Sequence, residues 1–113
     1  GTNDWQVFPT VEEGRKNCKA FLDQLVTKYG DKKLFGISPI WRADESKIRE
    51  MGTFTECIAY IKEEISAHNM VLIDGYKLTP HLPEFYSDAY LHPDTKGFGI
   101  YALNLITELQ KYL

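Results

Sequence analysis

Apolar residues recur at three- and four-residue steps along three stretches of the chain and gather into short unbroken runs along two others. Cys18, Phe21, Leu22, Leu25 and Tyr29 keep helical spacing up to Gly30, behind Thr10 and Glu13 at capping-box separation. This pattern predicts a helix over about residues 10–29. Thr53 and Glu56 repeat the cap, and Phe54, Ile58, Ile61 and Ile65 mark one stripe of a second helix ending near His68. Ile100, Leu103, Ile106, Leu109 and Leu113 predict a third, from about Lys96 to the end. The runs Leu34–Ser38, halted by Pro39, and Val71–Asp74, halted by Gly75, have the length and flanks of buried strands.

Helix alternating with buried strand predicts an α/β fold with a parallel sheet, because parallel strands need helical crossovers. Two strands alone leave unpaired edges and bury little surface, so further strands are expected beside them. Residues 41–52 lack a clean period and read as a loop with a short helical turn around Lys47–Met51, long enough to line a pocket. A second long loop runs through Pro80 and Pro83 to Pro93.

Composition narrows the class. With 113 residues, 43% apolar and 26% charged, residues 1–113 make at most one globular domain and are unlike disordered chains. A net charge of -3, with scattered Lys and Arg, supplies no basic field for nucleic acid. No apolar stretch approaches the roughly 20 residues that span a bilayer. Cys18 and Cys57 fall on helical apolar stripes and read as buried free thiols. His68 and His81 share no ligand spacing with His92, so neither a metal nor another cofactor is expected.

Two short blocks near opposite ends carry the candidate chemistry: Gly1-Thr2-Asn3-Asp4, and Asp88-Ala89-Tyr90-Leu91-His92-Pro93 followed by Gly97. Taken alone, each also reads as a turn, since Asn and Asp favour local backbone hydrogen bonds. Taken together and in this order, they resemble the G-x-N-D block and the closing Asp-His-Pro block of the SGNH/GDSL-type hydrolases, a family of serine esterases and acylhydrolases. The resemblance follows the order of elements over residues 1–113.

It implies the C-terminal portion of a three-layer α/β/α, flavodoxin-like domain. The nucleophilic Ser of the G-D-S block would lie in an upstream half outside this chain. Gly1 opens the chain directly on a motif, from which an upstream continuation is expected and no signal peptide is legible. The resemblance makes His92 the general base and Asp88 its carboxylate partner, while Asn3 donates its amide to the oxyanion. Such roles suit these side chains. Imidazole titrates near working pH, a carboxylate fixes its tautomer, and an oxyanion donor contributes roughly 100- to 1,000-fold in rate.

The family usually places its Asp three residues before the His. Here the interval is four, Ala89 occupies the usual position, and a local turn at Ala89–Leu91 is expected to bring Asp88 back to His92. Asp94 is the other carboxylate nearby and reads as the cap of the last helix. Asp74-Gly75 reads as a turn, and Ser38-Pro39 lacks the glycine-bounded elbow of a nucleophile. Trp41 and Arg42 are candidate substrate contacts in the loop after the first strand, with Phe85 and Tyr86 further possibilities in the second.

The expected function is hydrolysis of a carboxylic ester on a small molecule or carbohydrate. The alternatives are a non-catalytic ligand- or carbohydrate-binding module and a flavodoxin-like regulatory domain. The expected partner, besides an ester, is the missing half or another copy of the chain, paired along the bared edge of the first strand.

Overall fold

The computed structural model describes residues 1–113. Its elements run α1 (Asp4–Val7), α2 (Val11–Tyr29), β1 (Phe35–Ile37), α3 (Phe54–Ala67), β2 (Val71–Ile73) and α4 (Thr95–Gln110), with 3-10 turns at Gly75–Lys77 and Pro83–Phe85. The two strands pair in parallel, Phe35 with Val71, Gly36 with Leu72 and Ile37 with Ile73. This is a mixed α/β domain with a two-stranded parallel sheet and four helices.

The caps form as the spacing requires. The Thr10 hydroxyl accepts from the Glu13 N–H, and Thr53 and Glu56 make a reciprocal box in which Glu56 also accepts from the Thr53 N–H at 2.7 Å. α3 lays Phe54, Cys57, Ile58, Ile61 and Ile65 into the core, where Leu22 of α2 joins them. Gly36 lets β1 approach α3, since a Cβ there would overlap the Ile65 side chain.

The core has a contributor that its short helix hid. Trp5, on the four-residue α1, has no exposed surface, and its indole N–H donates to the Gly52 carbonyl at 2.9 Å. The expected helical turn at Lys47–Met51 is absent. Arg49 and Gly52 instead close a tight antiparallel bridge, with Gly52 at φ 77 where side-chain-bearing residues are strained. The loop thereby delivers Met51 to the core and the Gly52 carbonyl to Trp5.

Arg42 completes this node and also has no exposed surface. Its guanidinium lies 4.8 Å from the Trp5 ring centroid and 5.5 Å from that of Phe54. Nε and Nη2 donate to the two Asp44 oxygens at 2.5 and 2.9 Å, and Nη1 donates to the carbonyl and hydroxyl of Thr2 at 3.2 Å. Desolvation pushes the Asp44 carboxyl up, but the Arg42 guanidinium outweighs it and holds the group below its ordinary value.

Cys57 is a buried free thiol as expected, whereas Cys18 is only half-buried, lining the groove between α2 and β1. No helix is long and apolar enough to cross a membrane.

Two stability effects follow. Arg42→Ala leaves the buried Asp44 carboxylate with only the longer Arg49 contact at 3.5 Å, and urea unfolding should show a loss of about 3–5 kcal/mol. His68 joins α2 to α3 through two acceptors, the Glu64 carbonyl at 2.6 Å from Nδ1 and the Asp23 carboxylate at 2.8 Å from Nε2. Only the imidazolium donates to both. The Glu64 carbonyl bond first, then Asp23, raise the His68 pKa above its ordinary value. The contribution is therefore complete below about pH 6.5 and is lost as pH rises through the raised folded value. Thermal melts across this window should fall with pH more steeply for the native chain than for His68→Gln.

Candidate active site

The second block folds into a closed turn built around one carboxylate. Asp88 Oδ1 accepts from the N–H groups of Tyr90, Leu91 and His92 at 3.1, 2.8 and 3.0 Å, and Oδ2 meets His92 Nδ1 at 2.5 Å. The turn expected at Ala89–Leu91 is present, and Ala89 makes it by adopting φ 63. The four-residue interval between Asp88 and His92 is thus accommodated in the backbone. Ala89 carries a Cβ, so this conformation has a cost that the three N–H bonds to Asp88 offset.

The electrostatics of Asp88 follow from this geometry. Partial desolvation pushes its carboxyl up, but the N–H groups of Leu91 and His92, the His92 ring and the Tyr90 N–H together hold it far below the ordinary carboxylate range. It therefore stays ionised and accepts the Nδ1 proton, which leaves Nε2 as the basic nitrogen of a neutral ring. The His92 side chain is 70% exposed, and no hydrogen bond occupies Nε2.

The base of the turn is anchored. Tyr86 and Pro93 form an antiparallel bridge, and the Ser87 N–H and hydroxyl both donate to the His92 carbonyl at 2.8 and 3.1 Å. Tyr86 is buried, with its hydroxyl donating to the Trp41 carbonyl at 2.8 Å and lying 3.1 Å from the Thr79 hydroxyl. Nothing in the sequence pattern marked Tyr86 as the anchor, because a tyrosine in a long loop has no period to betray its burial. Ser87 is the nearest hydroxyl in sequence, but its proton is directed to a backbone oxygen and not to the ring.

The first block reaches the same loop from the other side. Thr2 accepts from Arg42, while the next residue, Ala43, donates its N–H to the Tyr90 carbonyl at 2.9 Å. Residues 42 and 43 so tie Asn3's neighbour to His92's turn, and both blocks gather at the segment that follows β1. Asn3 itself is exposed at the start of α1, and its side chain makes no cap hydrogen bond. Its amide is free to donate.

Trp41 and Arg42 do not line a pocket. Arg42 is wholly buried in the Trp5 node, and Trp41 is 7% exposed beneath the His81 ring, stacked at 5.4 Å and 9°. Adding chain can only cover them further, so the substrate contact expected of them is withdrawn. Asp94 caps α4, accepting from the Gly97 N–H at 2.8 Å. Ser38 is buried, with its hydroxyl accepting from the Gly75 N–H at 3.0 Å and lying 3.4 Å from Asp74. No group of three His, Cys, Asp or Glu side chains is arranged to hold a metal ion.

No protein-family model, curated protein or solved structure matches the chain.

The two carboxylates are separable by experiment. Asp94→Ala should cost about 1 kcal/mol of stability through the lost cap and leave the His92 ring resonances unchanged in NMR spectra. Asp88→Ala should release the Tyr90, Leu91 and His92 amides to rapid hydrogen exchange and shift those ring resonances.

Proposed function

We propose that this chain is the C-terminal portion of a three-layer, flavodoxin-like SGNH/GDSL-type ester hydrolase and supplies its acid–base pair and one oxyanion donor. The observation that carries this reading is the Asp88–His92 pair, an ionised carboxylate on Nδ1 with Nε2 unoccupied and open to solvent. In the reaction, a serine from the nucleophile-bearing part gives its proton to His92 Nε2 as its oxygen attacks the ester carbonyl. Asp88 stabilises the imidazolium, and the Asn3 amide donates to the developing oxyanion. His92 then protonates the departing alcohol, and water repeats the sequence to free the acid. The substrate class is a carboxylic ester of a small alcohol or sugar.

A second reading, a non-catalytic ligand- or carbohydrate-binding module, is favoured by one observation: no serine hydroxyl of this chain is directed at the His92 ring. The test separates the two. The chain alone should turn over no p-nitrophenyl acetate beyond the rate of free imidazole. Completed by a segment bearing Gly-Asp-Ser, it should hydrolyse the ester, and His92→Ala should then lower kcat by several orders of magnitude while the fold persists. Asp88→Asn should impair it far more than Asp94→Asn. A completed protein that folds and hydrolyses no ester would leave only the binding module, and undiminished turnover in its His92→Ala variant would overturn the acid–base role of His92.

A further inference from the structure

The turn that carries His92 owes its place to two contacts that land on the same three residues. None of residues 87–92 is buried, and the Asp88 carboxylate organises the turn only from within. Across those residues a single hydrogen bond reaches the rest of the protein, from the Ala43 N–H to the Tyr90 carbonyl at 2.9 Å. The residues that close the turn, Tyr86 and Pro93, are both buried and face each other across the antiparallel bridge. Pro93 has no N–H to give. Tyr86 makes the second tie, through a hydroxyl that donates to the Trp41 carbonyl at 2.8 Å.

Trp41 and Ala43 flank Arg42, whose guanidinium is wholly buried against Trp5 and Phe54 and donates to Thr2, the neighbour of Asn3. Residues 41–43 therefore form a strut. Backbone atoms of 41 and 43 hold the stem and the tip of the His92 turn, and the side chain of 42 holds the block that bears Asn3. The strut is firmly seated, because the guanidinium cannot leave its acceptors without stranding a buried charge.

The two ties differ in what they require of the sequence. The tip tie joins two backbone groups and does not depend on the side chains there. The stem tie depends on one side-chain atom, the Tyr86 oxygen. Its single proton is committed: a carbonyl only accepts, so the phenol donates to Trp41, and the Thr79 hydroxyl, 3.1 Å away, donates to the phenol. The Tyr86 ring also meets the Trp41 ring edge-on at 5.4 Å, a contact that persists without the hydroxyl.

We propose that Tyr86 is a positioning residue for His92: its hydroxyl fixes the stem of the turn to the strut and so sets where the Asp88–His92 pair stands relative to Asn3. The proposal rests on His92 serving as the general base. A base displaced by about 1 Å loses on the order of a hundredfold in rate although its own chemistry is intact. The Tyr86 hydroxyl is buried in bonds to Trp41 and Thr79 and touches no reacting atom, so the loss falls on kcat and spares KM.

Two near-isosteric variants of the intact chain test it. Tyr86→Phe removes the tie to Trp41. Thr79→Val removes a hydrogen bond from the same hydroxyl but keeps that tie, so it measures the loss of a buried polar contact alone. By NMR, Tyr86→Phe should speed hydrogen exchange at the Tyr90, Leu91 and His92 amides by about tenfold or more relative to the Ile61 and Ile65 amides of α3, and should broaden the His92 Nδ1–H resonance. Thr79→Val should do neither. In the protein completed by a Gly-Asp-Ser segment, Tyr86→Phe should lower kcat for p-nitrophenyl acetate by about ten- to hundredfold with KM unchanged. Equal exchange in the two variants, or undiminished kcat in completed Tyr86→Phe, would overturn the proposal. Exchange is read without turnover, so a completed native protein that hydrolyses no ester would remove the esterase reading, and the amides would still decide whether Tyr86 positions the pair.

Discussion

Burying a guanidinium costs several kcal/mol unless its N–H groups find acceptors and its charge finds a counter-charge, and Arg42 obtains all of these at one point. Asp44 takes two donors, Thr2 takes a third, and the rings of Trp5 and Phe54 cover the faces. Each partner comes from a different part of the chain: the N-terminal block, α1, the loop after β1 and the start of α3. Because the charge cannot be left half-satisfied, these parts must arrive together. The position of Asn3 beside Thr2 and the position of Ala43 under Tyr90 are both set by that requirement.

The sequence pattern was most informative where burial is periodic. The caps at Thr10 and Thr53 and the stripe from Phe54 to Ile65 located α2 and α3, and the Leu34–Ser38 and Val71–Asp74 runs located the strands within a residue or so. It was silent where burial comes from a single residue. Trp5 sits on a helix too short to show a period, and Met51 enters the core from a turn whose Gly52 is the sole local clue. Arg42 and Trp41 were misread for a related reason. A charged residue and an aromatic in a post-strand loop are as suited to lining a pocket as to closing a core, and only the partners brought from elsewhere decide between the two.

The His92 turn shows the opposite case. The four-residue interval between Asp88 and His92 is one longer than the resemblance leads one to expect, and that difference pointed to a bend. Ala89 supplies that bend with a left-handed backbone, and the three N–H groups it aligns on Asp88 Oδ1 offset its cost. What could not be read was the attachment of the turn to the rest of the protein through Tyr86 and Ala43, since both act through backbone oxygens or N–H groups that every residue possesses.

The main core cluster ends, in sequence, at Ile65, and beyond it only Met70, Leu72 and Tyr76 lean upon that cluster. From the Pro-rich loop onward the chain is held by separate ties: the Tyr86 hydroxyl, the Ala43 N–H on the Tyr90 carbonyl, the His81 ring on Trp41, the Asn104 amide on the Leu78 carbonyl, and Tyr112 against Lys33 and Phe35. α4 buries one residue, Gly97, and leaves Phe98, Leu103 and Ile106 in solvent. Burial is thus unequal between the two ends of the chain, the condition under which one part opens more readily than the other. The part that bears His92 has the fewer buried apolar residues, whereas the Trp5–Arg42 node, next to which Asn3 sits, is buried throughout.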